Sequence, residues 1–484
     1  MDWGSRVTYL ATTALKERVT PFGIKDKDRK HHVCVLGRVG SGRAEFLTRM
    51  AIQDIERGIG MVIIDAAGNM GPMLMERLNP EEIERLVYLD ASDAEYPFVW
   101  NVAEEFRGSA RGKELFEMAL ASIYRTKKNE LTDAIASSIY KDKEKSIIDA
   151  YSIVTDEKVR KDIFPEDADT SMKFYNAFEK EKETVADMEE HGRYIAKDTM
   201  VRNMIGQTDT KINLAELGRG AIVIVDVSRI RIFPTRITPV VRLFMYAARA
   251  RAAELDVPVS LYFHDCLRYL SETDAESLFT GRSVALSLSD TIYHESDLPL
   301  REKALARCGS VVAFQPHPID LPMVEKVFYP YVTPEELSGL DQGESCVALT
   351  IDAVRTQPFF ADVLPLSERT NVSLQDLIGD SRSRYTMPRT QVDAAFKDRT
   401  QKSNPPPPPA APGAPSASAG GFSDAFRAIF QKPSSAPDGA SEGKPAAPAT
   451  QAPAQQASPE KPEESEEVAE DVLKRLLYVG PLPA

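Results

Sequence analysis

The segment from His32 to Leu47, HVCVLGRVGSGRAEFL, limits the folds open to this chain more than any other stretch. A short apolar run leads through three glycines into residues 44–56, where apolar side chains recur at helical spacing until Gly58. A buried strand, a glycine-rich loop and a helix in this order form the backbone of a phosphate-binding loop. The segment therefore predicts a βαβ unit of an α/β protein.

The same loop lacks the side chains that hold phosphate. A working loop reads G-x-x-x-x-G-K-[ST], with the Lys on the outer phosphates and the hydroxyl on magnesium. This chain has Arg43 at the Lys position and Ala44 at the hydroxyl position, and neither replaces the chemistry that is lost. Taken alone, the segment also fits an ordinary strand-to-helix turn. The candidate nucleotide-binding positions are Gly37, Gly40, Ser41, Gly42, Arg43 and Ala44.

Composition narrows the class of protein. The chain has 484 residues, and its four cysteines stand singly, which argues against a disulfide framework or a zinc–thiolate cluster. No stretch reaches the roughly 18 to 20 apolar residues of a membrane-spanning helix, and the N-terminus lacks the apolar core of a signal peptide. The formal net charge of −14 disfavours DNA over most of the surface, while a local basic strip stays compatible with it. We therefore expect a cytoplasmic protein that meets the inner face of the cell membrane only through partners.

Apolar runs of strand length recur along the chain and predict a mostly parallel central sheet with helices on both faces. A charged, Ala-, Lys- and Glu-rich stretch without strand signals separates two groups of them, and predicts an inserted all-helical domain. We expect the first part of the α/β domain at 1–103, the helical insertion at 104–208 and the second part at 209–380. The predicted strands are 33–37, 61–65, 86–90, 221–227, 259–264, 284–288, 310–314 and 346–351, with a long helix at 237–255.

The remaining residues, 381–484, are rich in Pro, Ala and Ser and predict a disordered tail. Two islands within it have apolar residues on one helical face, at 422–430 and 467–478. Short amphipathic helices on a tether commonly bind a partner, although either island would also fit a helix that packs back on the core.

Five segments between Val7 and Leu366 carry a resemblance to a known family: FGIKDKDRKHHVCVLGRVGSGRAEFLTRMAIQDIERGIGMVIIDAAGN, YLDASDAEYPFVWN, VRNMIGQTDTKINLAELGRGAIVIVDVS, LYFHDCLRYL and YPYVTPEELSGLDQGESCVALTIDAVRTQPFFADVLPL. In this order they resemble the type IV secretion coupling-protein ATPases, the TraG/TraD-like DNA pumps related to the HerA and FtsK translocases. The resemblance implies a RecA-like P-loop domain, an inserted all-helical domain, a ring hexamer and ATP-driven movement of DNA.

Several positions depart from the pattern of this family. Where the second strand of the family ends in an Asp-Pro-His-Gly-Asp type run, this chain has Asp65 followed by Ala-Ala-Gly-Asn. Where the Walker B strand ends in Asp-Glu, this chain has His264 and Asp265. A shift by one residue makes Asp265 the magnesium carboxylate and puts Cys266 at the base position, which serves catalysis no better. The resemblance thus leaves His264 and Asp265 as remnants of the catalytic pair.

The sensor positions are altered too: Asp290 or Thr291 stands where the family has Gln, and Gln315 where it has Arg. Phosphoryl transfer depends on positioning and charge neutralisation. If each lost contact costs on the order of 2 to 4 kcal/mol of transition-state stabilisation, two or three losses lower the rate by several orders of magnitude. Magnesium-ATP is therefore a disfavoured cofactor, and Arg43 fits a phosphate contact or a structural ion pair with a carboxylate.

The leading hypothesis is a pseudo-ATPase that serves as a structural or regulatory subunit of a DNA or protein transfer machine. Its partners would be a related active ATPase or other machine subunits, bound through the tail helices or within a homo- or hetero-hexamer. One alternative is an active hexameric DNA-translocating motor. A second is a DNA-binding module that works without ATP. A metal site at His264, Cys266, Cys308 and His317 is less economical than buried histidines beside core thiols.

Overall fold

The computed structural model describes residues 6–15, 18–107, 109–165, 169–230, 234–279, 283–288 and 298–403. The predicted tail helices at 422–430 and 467–478 lie outside these residues, as do the sensor candidates Asp290 and Thr291.

The chain begins with a two-stranded hairpin, which the sequence analysis did not predict, and then enters the strand–loop–helix unit. Its elements up to the helical insertion are β1 (Val7–Leu15), β2 (Arg18–Lys25), α1 (Asp26–Arg29), β3 (Val33–Leu36), α2 (Arg43–Glu56), β4 (Gly60–Asp65), α3 (Met70–Met75), α4 (Pro80–Ile83) and β5 (Leu86–Asp90).

Between β5 and the next strand, the described residues form only helices and their connections. These helices are α5 (Val102–Phe106), α6 (Gly112–Ile123), α7 (Glu130–Lys141), α8 (Asp149–Thr155), α9 (Glu157–Ile163), α10 (Asp169–Lys180), α11 (Lys182–Lys197) and α12 (Thr199–Ile205). We refer to α5–α12 as the helical insertion.

The strand pattern then resumes. The remaining elements are β6 (Ile222–Asp226), α13 (Pro234–Glu254), β7 (Val259–His264), α14 (Glu272–Leu278), β8 (Ser283–Leu288), α15 (Leu298–Arg307), β9 (Ser310–Ala313), α16 (Leu321–Phe328), α17 (Pro334–Ser338), β10 (Glu344–Ala348), β11 (Thr350–Ile351), β12 (Val354–Arg355), β13 (Phe359–Val363), α18 (Leu374–Tyr385) and α19 (Arg389–Ser403). Within the described ranges, short 3-10 helices at Leu214–Arg219, Ser228–Ile230 and Leu267–Tyr269 lie in the connections. The predicted strands and the long helix are confirmed, with small shifts at their ends.

One eleven-stranded sheet forms the centre of the molecule, in the order β2-β1-β13-β10-β9-β3-β8-β7-β4-β6-β5. From β9 to β5 every neighbouring pair is parallel, whereas β10, β13, β1 and β2 extend the sheet with antiparallel pairs. The prediction of a mostly parallel α/β sheet is confirmed. Because parallel strands share one direction, the loops after β3, β7, β4 and β6 meet at a common edge.

Both faces of the parallel part are buried, and successive residues of a strand serve opposite faces. In β3, Cys34 and Leu36 pack into one apolar cluster, while Val33 and Val35 pack into the other. The second cluster lies beneath α2 and α3. The first cluster contains α13 and continues into the helical insertion, so the insertion shares a core with this face of the sheet.

The C-terminal part of the described chain corrects one predicted boundary. Residues from 381 onward were expected to belong to the tail, but α18 runs through Ser381 to Tyr385 and α19 continues to Ser403. The cause is tertiary contact. The Ser381 hydroxyl is buried against the edge strand β5, where it accepts from the Tyr88 N–H at 2.7 Å and donates to the Tyr88 carbonyl at 2.9 Å.

None of the helices in the described ranges combines the length and the apolar character that a crossing of the bilayer requires.

Candidate functional site

The loop between β3 and α2 keeps the backbone shape of a phosphate cradle. Gly40 and Gly42 have left-handed φ angles of 80° and 116°, which favour glycine. A Cβ on Gly42 would come within 3.0 Å of the Phe314 ring, so the residue that precedes α2 is restricted by space as well as by conformation. The glycine turn predicted from the sequence is therefore present, with Gly42 as the N-cap of α2.

Arg43, at the Lys position of the loop, makes an ion pair with Asp265. Its Nη1 donates to Asp265 Oδ1 at 2.8 Å and its Nη2 donates to Oδ2 at 3.4 Å, in the two-pronged geometry that guanidinium and carboxylate groups favour. The two side chains are only 5% and 10% exposed. Asp265 follows β7 with a left-handed φ of 58°. The pair thus links the cradle to β7 across the intervening strand β8.

Two residues near Arg43 in the sequence, Ser41 and Ala44, are also buried in the protein. The Ser41 hydroxyl donates to the Arg38 carbonyl at 2.8 Å, inside the loop itself. Ala44, at the position where a working loop has its hydroxyl, is buried and carries no oxygen. At the Lys position the cradle therefore has a cation, Arg43, that is already paired, and it has no metal-holding hydroxyl at 44.

Asp65, at the end of β4, is bound by its own turn. Its carboxylate accepts from the backbone N–H groups of Ala67, Gly68 and Gly71 at 3.1, 2.7 and 2.9 Å. Burial raises the pKa of Asp65, whereas the adjacent His264 and the N–H donors act in the opposite direction. These contacts direct the Asp65 oxygens to the local backbone.

His264 ends β7 and lies opposite Asp65 in the parallel register of the two strands. Its Nε2 is 2.8 Å from Asn69 Oδ1, and the ring is buried. The neighbouring Cys266 thiol donates to the Ile64 carbonyl at 3.0 Å, and burial raises its pKa well above the ordinary value. Within the described ranges, no three His, Cys, Asp or Glu side chains are grouped so as to hold a metal ion.

Gln315, the sensor candidate after β9, contacts the cradle with its backbone, whereas its side chain points to another loop. Its carbonyl accepts from the Arg38 N–H at 2.9 Å, while its Nε2 donates to the Ser338 carbonyl at 2.6 Å. The structure thus brings together the loop residues, Asp265 and the Gln315 backbone.

Sequence reasoning missed Asp226, which ends β6 beside Asp65 in register. Its carboxylate accepts from the Tyr88 hydroxyl at 2.8 Å and from the Ser228 N–H at 2.9 Å. Burial raises the pKa of Tyr88, and the charge of Asp226 raises it further. An acid at the end of a fully buried strand was the available signal, because strand ends in a parallel sheet share one edge.

Known proteins provide a comparison at the level of the fold. No protein-family model matches the sequence, and no curated protein matches it. Among solved structures, the plasmid coupling protein TrwB bound to a non-hydrolysable ATP analogue matches with a TM-score of 0.50 at 13% identity, over 72% of this chain and 89% of TrwB. TrwB with ADP and Mg²⁺ matches with a TM-score of 0.48 at 13% identity, over 72% of this chain and 89% of TrwB. VirB4 of Thermoanaerobacter pseudethanolicus matches with a TM-score of 0.47 at 11% identity, over 76% of this chain and 98% of VirB4.

These structural neighbours are a conjugative coupling protein and VirB4. The likeness to the TrwB complex shows that the two chains share a fold, and the predicted RecA-like class is confirmed at that level.

Proposed function

We propose that this chain is a pseudo-ATPase of the type IV secretion coupling-protein family, and that it serves as a structural or regulatory subunit of a transfer machine. The fold shared with TrwB supports the family, together with the five sequence segments that resemble it. The observation that carries the proposal is the ion pair between Arg43 and Asp265, which occupies the cradle from within.

This ion pair opposes nucleotide binding in two ways. A phosphate that takes Arg43 leaves the Asp265 carboxylate without its partner in a site that is 10% exposed, and breaking a buried pair costs roughly 3 to 5 kcal/mol. The same carboxylate repels an incoming triphosphate. An empty P-loop with a Lys has no such barrier, because its ammonium is available to the outer phosphates.

Magnesium support is weak for the same reasons. Ala44 offers no oxygen, and His264 stands where the family has a carboxylate. Asp265 would be the nearest strand-end acid, but its two oxygens accept from Arg43. Removal of metal support and water activation attacks phosphoryl transfer directly, since that step depends on charge neutralisation.

The place of the chain within a machine is part of the proposal. A subunit kept for its shape would pack beside a related active ATPase, in a ring or as an adaptor, and the predicted helices at 422–430 and 467–478 would bind that partner. DNA contact would be secondary, because the formal net charge of the chain is −14. Association with the membrane would be indirect, through other subunits.

ATP turnover by the purified chain tests the proposal, with and without magnesium and with and without DNA. We expect no turnover above background in any condition. Magnesium-dependent turnover that Gly42→Asp abolishes would contradict the proposal, and stimulation by DNA would favour the active motor. Flat, weak DNA binding at low salt is expected, whereas a steep salt dependence of DNA affinity would favour the DNA-binding module.

The Asp265→Asn variant separates the two main hypotheses. Asn tolerates the left-handed backbone at this position, so the fold should be kept. If Asp265 closes the cradle, the variant releases Arg43 and its affinity for ATP or ADP, measured by calorimetry, rises above that of the wild type. If Asp265 is a catalytic acid, turnover exists in the wild type and disappears in the variant.

A rebuilt cradle provides the complementary test. The combined change Arg43→Lys, Ala44→Thr, His264→Asp and Asp265→Glu restores the family pattern at four positions. We expect this variant to gain magnesium-dependent stabilisation by ATP in a thermal unfolding assay, because a ligand that binds only the native state raises its stability. Equal magnesium-dependent stabilisation of the wild type by ATP would show that the natural cradle already binds nucleotide.

A further inference from the structure

A second concave site lies away from the cradle, between the helical insertion and the start of α13. It is a cavity of about 480 Å³, lined by the end of α6, the last turns of α11, the start of α12 and the first two turns of α13. A cavity of this size accommodates a ligand of roughly drug or mononucleotide dimensions. None of the residues discussed for the cradle lines it.

The cavity combines apolar walls with an excess of cations. Ile123, Ile195 and Val201 are buried residues that line it, while Tyr194 at its rim is 68% exposed. Four Arg or Lys side chains line it, against two carboxylates, although the whole chain carries a net charge of −14. The four cations are Arg125, Lys197, Arg236 and Arg242.

Two of these cations are held by ion pairs. Arg236 Nε donates to Asp198 Oδ2 at 2.5 Å, and its Nη2 donates to Oδ1 at 2.9 Å. Arg242 lies 3.1 Å from the buried Asp274 and donates to the Ser122 carbonyl at 2.7 Å. Burial lowers the pKa of Arg242, Asp274 opposes this, and the nearby Arg125 cation lowers the pKa further. With these two pairs neutral, Arg125 and Lys197 stand against one further carboxylate, Glu190, so the lining keeps a net positive charge that suits an anion.

Arg125 has a backbone conformation that points to a use for its side chain. It follows the end of α6 with a left-handed φ of 53°. The Thr126 N–H donates to the Ala121 carbonyl at 2.9 Å and the Arg125 N–H to the Ser122 carbonyl at 3.3 Å, which is the hydrogen-bond pattern of a Schellman helix end. Glycine is the usual residue at this position, and a side chain there is strained. Strain of this kind is found preferentially at ligand sites.

We propose that the cavity binds a small phosphorylated molecule with a planar apolar body, of mononucleotide size. The phosphate would meet Arg125 and Lys197 at the rim, with Arg242 behind them. The planar body would lie between the apolar wall and the ring of Tyr194, since an exposed aromatic ring is a common stacking surface for flat ligands. The Glu190 carboxylate would accept from hydroxyl or amino groups of the same ligand.

The position of the cavity gives such a ligand a structural effect. Its walls belong both to the insertion and to α13, the helix that packs the insertion onto the sheet. A bound ligand would therefore stabilise the junction between these two parts. This site is independent of the cradle, so it stands or falls separately from the pseudo-ATPase proposal.

Calorimetric titration of the full chain with AMP and ADP tests the site, with inorganic phosphate as the minimal probe. We expect saturable binding of AMP or ADP without magnesium, and weaker binding of inorganic phosphate. Arg125→Gly is the key variant, because glycine suits the left-handed position and the fold should show an unchanged or higher unfolding midpoint. It should lower the affinity at least 10-fold, and Lys197→Ala should lower it to a smaller extent.

Two controls keep the outcome specific. Arg219→Ala removes an exposed Arg from another surface and should leave the affinity unchanged. Asp265→Asn changes the cradle and should leave the binding of AMP at this cavity unchanged as well. The proposal is overturned if neither AMP nor ADP binds saturably, or if Arg125→Gly, folded as judged by its unfolding midpoint, binds as tightly as the wild type.

Discussion

Arg29 and Asp54 form a bidentate ion pair inside the molecule, with N–O distances of 2.6 and 2.8 Å. Tyr262 donates to the same carboxylate at 2.6 Å, and Thr8 accepts from Arg29 at 3.2 Å. The pair therefore joins α1, α2 and β7 beneath the sheet. Such a pair is stable when both charged groups have hydrogen-bond partners, but the loss of one of the two residues leaves the other as an unpaired buried charge.

Arg29→Met should lower the free energy of unfolding by about 3 to 5 kcal/mol, because it leaves Asp54 charged and buried without its cation. Urea unfolding followed by circular dichroism measures the loss. Arg219→Ala, which removes one half of an exposed pair, should change stability by less than about 1 kcal/mol and is the control. If Arg29→Met changed the unfolding midpoint no more than this control, the pair would have no structural role.

The same pair predicts a pH dependence. Burial would raise the pKa of Asp54, but the Arg29 charge and the hydrogen bonds of Arg29, Tyr262 and Ser260 outweigh it and hold the pKa below the ordinary 3.8. A carboxyl with a depressed folded pKa stabilises the protein above its unfolded pKa, and that contribution disappears as the pH falls through the folded value. The stability difference between the wild type and an Asp54→Asn variant should therefore shrink as the pH is lowered below about 4.

At the scale of elements, Gly42, the N-cap of α2, is constrained both by its left-handed φ and by the Phe314 ring. Gly42→Ala should destabilise the protein by about 1 to 3 kcal/mol, because it adds a Cβ at a left-handed φ and against Phe314. Gly379→Ala is the matched change inside α18, where a Cβ meets nothing within 4 Å. It should stabilise by roughly 0.5 to 1 kcal/mol. Thermal unfolding of the two variants should thus shift in opposite directions, and shifts of equal sign would contradict the assigned loop geometry.

Helix α18 covers the edge strand β5, and the Ser381 hydroxyl bonds both backbone groups of Tyr88 in that strand. Ser381→Ala removes the partner of both the N–H and the carbonyl of Tyr88, and should cost about 1 to 3 kcal/mol of stability. Ser383→Ala in the same helix loses only a local bond to the Asp380 carbonyl and should be near neutral. Chemical unfolding of both variants, side by side, checks the prediction. Comparable effects would place α18 elsewhere than on β5.

The burial of an element decides whether the sequence alone predicts it. Strands β3 to β9 of the parallel part are apolar on both faces and were recognised as continuous runs. The hairpin β1–β2 was missed because it lies at the sheet edge, alternates polar with apolar residues and contains Pro21. The end of α18 and all of α19 were assigned to the tail because their order depends on contacts such as Ser381 with β5 and Arg202 with Asp393, which no local pattern reveals.

The candidate site was readable in part for a related reason. The loss of Lys and hydroxyl at Arg43 and Ala44 is visible in the eight letters GRVGSGRA. The partner of Arg43 is not, because Asp265 lies 222 residues later and reaches the loop across β8. Composition likewise gives no hint of the cavity at Arg125, since its walls come from four separate helices.

At the scale of the whole molecule, the helical insertion and the sheet share one apolar core. Trp100 marks their junction: its ring stacks on Phe244 of α13 with centroids 3.9 Å apart, and it is fully buried. The chain has two tryptophans, so a Trp3→Phe variant leaves Trp100 as the fluorescent reporter. Its fluorescence change should coincide with the loss of helical circular dichroism along a urea titration, because one core unfolds as one unit. Two separated transitions would show that the insertion unfolds independently.

The pair between Arg43 and Asp265 has a mechanical consequence for any assembly that contains this chain. Motor subunits change conformation as they bind nucleotide and release the products, and these changes reach the neighbouring subunits through their interfaces. Here the anion that holds the β3–α2 loop is the Asp265 side chain, which is part of the protein and cannot be released as a reaction product would be. A neighbouring subunit that packs on this edge of the sheet would therefore contact a surface that keeps one conformation while the neighbour changes its own.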